Sequence, residues 1–274
     1  MLAERLKPFI ERAPPLAQAL RAARELWRYS RARPVTTPDG FVFAGDARMQ
    51  RGEFEPHELA LVRDELRSAE LFIDAGANTG LYSCLARSRG ARVIAVEPLP
   101  ANLRWLLRNL AANGYRDVQV LPLALGVRPG VLQLYGASPG ASLVRGWAGA
   151  SPLFERSVPV STLDLLITPQ CRGKRTLVKL DIEGGELPAL RGAEGLLSSS
   201  PAPVWLVEVN LTEHHPDGLN PTFAEVFELF WRHGYAARTV EAEPREVLPA
   251  DVARWVRARA RDFGSHDYLF RKPS

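Results

Sequence analysis

Cysteine is scarce in this chain. Cys84 and Cys171 are its two cysteines in 274 residues, far apart and without a C-x-x-C spacing. That argues against a disulfide framework or a thiolate zinc site, and it fits a reducing compartment. No apolar run approaches the ~20 residues that a membrane helix needs. Lysine is nearly missing as well, with Lys7, Lys174, Lys179 and Lys272 as its four copies, so arginine carries most of the +4 net charge. Several arginines fall in the first 33 residues and the rest are scattered. No basic block interleaved with aromatics exists, so nucleic acid is not an expected partner. Charges interrupt the first apolar segments, unlike a secretory signal, and the expected location is cytoplasmic. Internal repeats, low-complexity stretches and the G-x-G-x-x-G dinucleotide fingerprint are also lacking.

What is present reads as an ordinary globular composition, 46% hydrophobic and 24% charged, which sets disorder aside. The pattern divides into residues 1–54, a helical extension with short extended pieces, and residues 55–274, the main domain. In residues 1–33, Leu16, Ala19, Leu20, Ala23, Leu26 and Trp27 recur at helical spacing, with Arg21, Arg24 and Arg28 mainly off that stripe. Such a helix packs on its own domain, forms a dimer contact or touches a membrane surface. Extended pieces are expected at Gly40–Phe43 and near Gly52, and a helix over Glu55–Ser68.

Strands and helices then alternate. Strands are expected at Leu71–Ile73, Arg92–Val96, Asp117–Leu123, Thr176–Leu180, Val204–Val209, Tyr235–Val240 and His266–Arg271. Helices are expected at Leu81–Ser88, Leu99–Asn113, Glu183–Leu197 and Phe223–His233. Val131–Tyr135 and Val158–Val160 read as further short extended segments. Gly136–Pro152, rich in Gly, Ala, Ser and Pro, reads as a loop over a site. This alternation predicts an α/β fold: seven strands, mostly parallel, with helices on both faces and right-handed crossovers.

The first chemical signal is Leu71-Phe72-Ile73-Asp74-Ala75-Gly76-Ala77-Asn78-Thr79-Gly80. A buried strand ends on a carboxylate, turns through two glycines and enters a helix. Such a turn lets backbone approach a ligand closely. Glu97 ends the next strand, where a carboxylate can accept both hydroxyls of a ribose. Asp74, Glu97 and Asp181 thus share the C-terminal edge where ligands of such sheets bind. With no Arg or Lys in the turn, a cationic cofactor bearing a ribose suits it better than a pyrophosphate. The alternative for each acid is that it caps the following helix.

The second signal is Lys179-Leu180-Asp181-Ile182-Glu183-Gly184-Gly185-Glu186. Strand periodicity sends Lys179, Asp181 and Glu183 to one side. They form either a satisfied buried ion pair or the groups that face a reaction. Asp181 with Glu208 and Asn210 also offers three oxygen ligands, a pattern easily met by chance, and no metal is expected. His214 and His215 sit in the Asn210–Pro221 loop, where an imidazole could accept a hydroxyl proton. His57 and His266 are weaker candidates. Trp147 is either a stacking platform for a sugar ring or a buried loop anchor.

These segments resemble the FkbM-type family of S-adenosylmethionine-dependent methyltransferases. The matching residues are Phe72 to Gly80 with Tyr82, Ala95-Val96-Glu97-Pro98 with Asn102 and Asn109, Val160 to Asp164, and Val178 to Gly184 with Glu186. The resemblance runs from about Gly40 to Lys272. It implies a Rossmann-like methyltransferase sheet and O-methylation of a hydroxyl on a sugar, glycan, lipid or secondary metabolite. Asp74, Gly76, Asn78, Thr79 and Gly80 would line the methionine part of S-adenosylmethionine. Glu97 would hold its ribose and Ala124 would lie near adenine, Pro98, Asn102 and Asp181 would also contact the cofactor, and Asp181 and Glu183 would face the reaction centre. Two other classes use the same sheet: an NAD(P)-dependent oxidoreductase, and a non-catalytic binding protein that retains the fold.

Overall fold

The computed structural model describes residues 23–273 apart from 25, 137–139 and 151–153. Most of the arginine-rich first segment therefore lies outside the described residues, including Leu16, Ala19, Leu20 and Arg21.

The described residues open with a helix that ends at residue 31, followed by a hairpin of β1 (Val35–Thr36) and β2 (Val42–Phe43). The extended piece expected near Gly52 is instead a one-turn helix, Ala47–Gln50, capped by Asp46, and a turn. Next come β3 (Leu71–Ala75), β4 (Arg92–Val96) and β5 (Gln119–Leu121). Three strands then form a small separate sheet: β6 (Ala124–Leu125), β7 (Gly130–Tyr135) and β8 (Glu155–Ser161), in the order β6-β8-β7. The main sheet resumes with β9 (Thr176–Leu180), β10 (Val204–Glu208), β11 (Ala236–Thr239), β12 (Glu246–Val247) and β13 (Asp267–Arg271).

The main sheet has the order β12-β11-β13-β10-β9-β3-β4-β5. The five strands from β10 to β5 are parallel, and β13 runs antiparallel between β10 and β11. From β3 the chain moves outward one way through β4 and β5, then returns to the other side of β3 at β9. The gap between β3 and β9 is therefore the topological switch point, where ligands bind beyond the strand C-termini. The sheet holds eight strands rather than the expected seven. The eighth, β12, is a two-residue edge strand too short for an apolar alternation to announce it.

The two faces of the sheet carry separate cores. Leu71, Ile73 and Ala75 pack with Val178, Leu180, Trp205 and Phe230 on one face. Phe72, Val93, Leu177 and Leu206 pack on the other with Leu85 of the helix Leu81–Ser88 and Leu106 of the helix Pro100–Ala112. Phe41 and Phe43 belong to this second core, so the hairpin is built into it. Two asparagines of the Pro100–Ala112 helix region tie it down. Asn109 Oδ1 accepts from Ala44 N, while its Nδ2 donates to Ala44 O and Thr79 O. Asn113 bonds both backbone groups of Val42.

Two helical expectations are corrected. Glu183–Leu197 is not one helix but two short ones, Glu186–Arg191 and Glu194–Leu197. Gly192 separates them, because a Cβ there would lie 2.2 Å from Gly126 O. Asp164 then starts the second helix, accepting from Gly195 N and Leu196 N. A helix at Pro249–Ala258, with Val252 and Trp255 buried, was not expected. Among the described residues no helix is long and apolar enough to cross a membrane.

Asn109 is fully buried with three backbone partners from two segments. Asn109→Ala should cost about 2–4 kcal/mol of unfolding free energy, since the orphaned groups have no water to replace the amide. Urea denaturation checks this; a loss under about 0.5 kcal/mol would show that the amide does not hold the hairpin.

Candidate active site

The switch point opens into two adjoining clefts. The first, about 620 Å³ with its open mouth, is lined by Gly76, Asn78, Glu97, Pro98, Asn102, Ala124, Asp181 and Glu183 with an apolar wall from Leu123, Leu125, Leu134 and Leu143. The second, about 1840 Å³ with its open mouth, shares Gly76, Asn78, Asn102, Asp181 and Glu183 and adds Thr79, Tyr82, Lys179, Glu208 and His214. Gly76 makes the junction tight. Its φ is +87°, and a Cβ there would sit 1.8 Å from Asp181 O, a position that only glycine can occupy.

Glu97 follows β4 and is 4% exposed. One of its oxygens accepts from Asn78 N at 2.8 Å and the other from Leu99 N at 2.7 Å. Burial outweighs these bonds and pushes its carboxyl up to about 7. Asn78 sits at φ +49° and its Oδ1 is buried without a hydrogen-bond partner.

Asp74 and Gly80 do not line either cleft. Asp74 shares the sheet face of Phe72, so its carboxylate turns under the helix Leu81–Ser88 and accepts from Ser83 Oγ at 2.5 Å. Gly80 gives room for Leu106, which a Cβ would approach to 2.5 Å. Both therefore shape the turn from behind. Strand position showed that Asp74 lies at the ligand edge, but the pleat decides which face its side chain takes.

Lys179 lies beside Asp74 on the same face of the sheet. Its Nζ is 2.6 Å from Asp181 Oδ2 and 4.8 Å from the centre of the Tyr82 ring. Around it stand Glu55, which accepts from Tyr82 Oη at 2.7 Å, and the cross-strand neighbours Glu208 and Asp267. Burial would raise the Asp181 carboxyl, but the Lys179 charge and a hydrogen bond from Glu208 hold it below the usual value. Glu208 goes the other way: burial first, then the Asp181 charge, push it well up, so it donates to Asp181. Asp267 is likewise raised by burial and by its hydrogen bond with Glu58. The three oxygen groups considered as metal ligands hydrogen-bond one another. Asn210 Nδ2 donates to Glu208 Oε1 at 2.8 Å, and no group of three His, Cys, Asp or Glu among the described residues is set to hold a metal.

Glu183 lies past the strand, at φ +58°. Its Oε2 accepts from Trp147 Nε1 at 2.7 Å, and burial pushes it up to about 7. Trp147 is the anchor of its loop: it is 1% exposed and covers Gly184, whose Cβ would meet the ring at 2.5 Å. The rings of His214 and His215 pack against it at 6.0 and 6.3 Å. His214 lines the wide cleft. His215 does not, and its Nδ1 accepts from Asp217 N. His57 and His266 line an adjoining cleft with Glu58 and Asp267, which shares Glu55 and Glu208 with the wide one. Glu186 folds back to accept from Ile182 N and Gly184 N, fixing the loop that carries Glu183.

The buried acids make stability pH-dependent. Folded-state values are raised for Glu97 and Glu183 to about 7, for Glu186 to about 8, and upward for Glu208 and Asp267. The folded state therefore holds more protons than the unfolded chain between pH 4.5 and 8, and stability falls as pH rises through that window. His266, lowered by burial, opposes this as a single group; Asp181 and Glu213 titrate below the window. Calorimetry should give a Tm at pH 8 about 5 °C or more below that at pH 5. A Tm that rises over this range would contradict the protonation pattern.

Comparison with known proteins agrees with the geometry. The model of the family described as "Methyltransferase FkbM domain" matches residues 74–237, well over half of the chain. The methyltransferase sdnD of Sordaria araneosa is 30% identical over 161 residues, which cover 47% of this chain and 62% of that protein. The chain thus spans less than two thirds of the length of this curated relative. Among solved structures, an S-adenosylmethionine-dependent methyltransferase from Agrobacterium tumefaciens superposes with a TM-score of 0.45 at 11% identity, covering 89% of this chain and 70% of that one. An O-methyltransferase from Bacillus cereus, solved with S-adenosylhomocysteine, gives 0.43 at 12%, covering 82% and 84%. The family match displaces the nicotinamide alternative. The chain belongs to the FkbM methyltransferase domain family.

Proposed function

We propose that the protein transfers the methyl group of S-adenosylmethionine to a hydroxyl oxygen of a small-molecule or glycan acceptor. The observation that carries this reading is the meeting of two clefts, one narrow and one wide, at Asp181 and Glu183. The narrow cleft fits the cofactor. Glu97 keeps lone pairs on both oxygens after accepting from Asn78 and Leu99, so it can take a vicinal diol. Ala124, Leu125 and Leu134 offer a flat base an apolar slot, and the unpartnered Asn78 Oδ1 can accept from an ammonium group. When bound, the cofactor supplies an electrophilic methyl on a cationic sulfur.

The residues of the wide cleft then have distinct tasks. Asp181, kept ionised by Lys179, sets a negative charge at the junction. Glu183, near pH 7 in its titration, is matched to take the proton of an acceptor hydroxyl at neutral pH,. His214 rims the acceptor side and His215 holds Trp147 from behind. Most of the acceleration comes from aligning acceptor oxygen and methyl, with the base adding a modest share. A cytoplasmic location suits both cofactor supply and free thiols.

Two variants separate the roles. Glu97→Gln should weaken S-adenosylhomocysteine about tenfold or more by calorimetry, through loss of charge-assisted bonds. Glu183→Gln should leave that affinity within about twofold and lower kcat about 10²-fold. Product release over a panel of hydroxylated acceptors should show wild-type kcat falling tenfold per unit below pH about 7, with this limb lost in Glu183→Gln. An unchanged rate in that variant would remove Glu183 from the chemistry.

A further inference from the structure

The acceptor side has a cationic wall that the family motifs do not include. Trp27, Arg28, Arg31 and Ala32 of the N-terminal helix line the wide cleft. Arg108 and Trp105 hold the helix there. Arg108, on the helix Pro100–Ala112, donates to Tyr29 O and, at 2.7 Å, to Ala32 O. Tyr29 meets the Trp105 ring edge-on at 5.0 Å, and the Arg108 guanidinium lies over Tyr29 at 4.8 Å. The same helix carries Asn102 into the cofactor cleft. One rigid element therefore spaces the N-terminal wall from the cofactor.

The charges lining the cleft differ in kind. Every carboxylate lining the wide cleft already has a partner within the protein. Asp46 caps Arg48 N, Glu55 holds Tyr82, Asp181 holds Lys179, Glu183 holds Trp147 and Glu208 holds Asn210. Arg31, in contrast, lies over the Trp27 ring at 5.1 Å, and Trp27 is 57% exposed. A guanidinium stacked on an indole keeps its planar N–H fork for an oxyanion, while the indole offers apolar area beside it. Resting on the wide cleft being the acceptor side, we infer that the acceptor carries an anionic group, a carboxylate or a phosphate, which Arg31 reads at the mouth while its hydroxyl reaches Asp181 and Glu183. Arg108 is a positioning residue for this wall.

The test uses the full chain saturated with S-adenosylhomocysteine and two matched sets: a sugar with its uronic acid and its phosphate ester, and phenol with hydroxybenzoate. Calorimetry or ligand-observed NMR reads binding. At least one acidic member should bind about tenfold tighter than its neutral counterpart, the stronger arm telling carboxylate from phosphate. The advantage should vanish in Arg31→Ala, survive in part in Arg31→Lys, shrink in Arg108→Ala and fade with added salt. S-adenosylhomocysteine affinity should stay within about twofold in all three variants, which also reports that they are folded. Equal binding of acidic and neutral members, no binding of either set, or an advantage that persists in Arg31→Ala would overturn the inference. Failure of S-adenosylhomocysteine itself to bind wild-type protein would instead defeat the underlying functional reading.

Discussion

Three strand ends are pinned together at Gly76, and the site depends on that contact. Gly76 N donates to Val96 O at the end of β4, Asp181 N donates to Ala75 O, and no Cβ fits between Gly76 and Asp181 O. The turn after β3 is thereby pressed onto the end of β9. Asn78 follows directly, so its backbone reaches Glu97. The two carboxylates of the narrow cleft, Glu97 and Asp181, thus owe their spacing to a chain-against-chain approach. A glycine that looks reserved for a ligand is first required by the protein.

Burial then sorts the acids around this junction. Taking a carboxylate out of water favours its neutral form unless a cation is close. Lys179 is the one lysine in the sheet, and it satisfies Asp181. Glu208 and Asp267, without a cation of their own, keep protons and donate or share hydrogen bonds. The result is a cluster that is acidic in composition but carries little net negative charge. That explains how so many carboxyls sit together without repelling one another. It also leaves Arg31, stacked on Trp27, as a charge that an incoming molecule meets.

Much of this was legible in the residues. The strand ends at Asp74, Glu97, Asp181 and Glu208, the glycine turn and the alternation of β3 to β10 follow from apolar runs and punctuation. What the sequence hid was orientation and long-range partnership. Asp74 faces Ser83 rather than the cleft because of the pleat, which its position at a strand end does not reveal. Glu183 reaches the site through a left-handed turn, not by strand alternation. Trp147 can be a platform or an anchor by sequence, and only Glu183 and Gly184 beneath it decide for the anchor. The pairing of Glu58 with Asp267 joins residues about two hundred positions apart, and the break at Gly192 depends on the Gly126 carbonyl. None of these leaves a periodic trace.

The Gly76 junction should build a cofactor cleft between β3, β4 and β9. Hydrogen exchange with and without S-adenosylhomocysteine tests it most directly, because backbone amides report each segment separately. The account predicts added protection in residues 75–80, 97–102 and 181–186 together, with the β11–β12 edge unchanged. Protection confined to other segments, or none at saturating ligand, would contradict it.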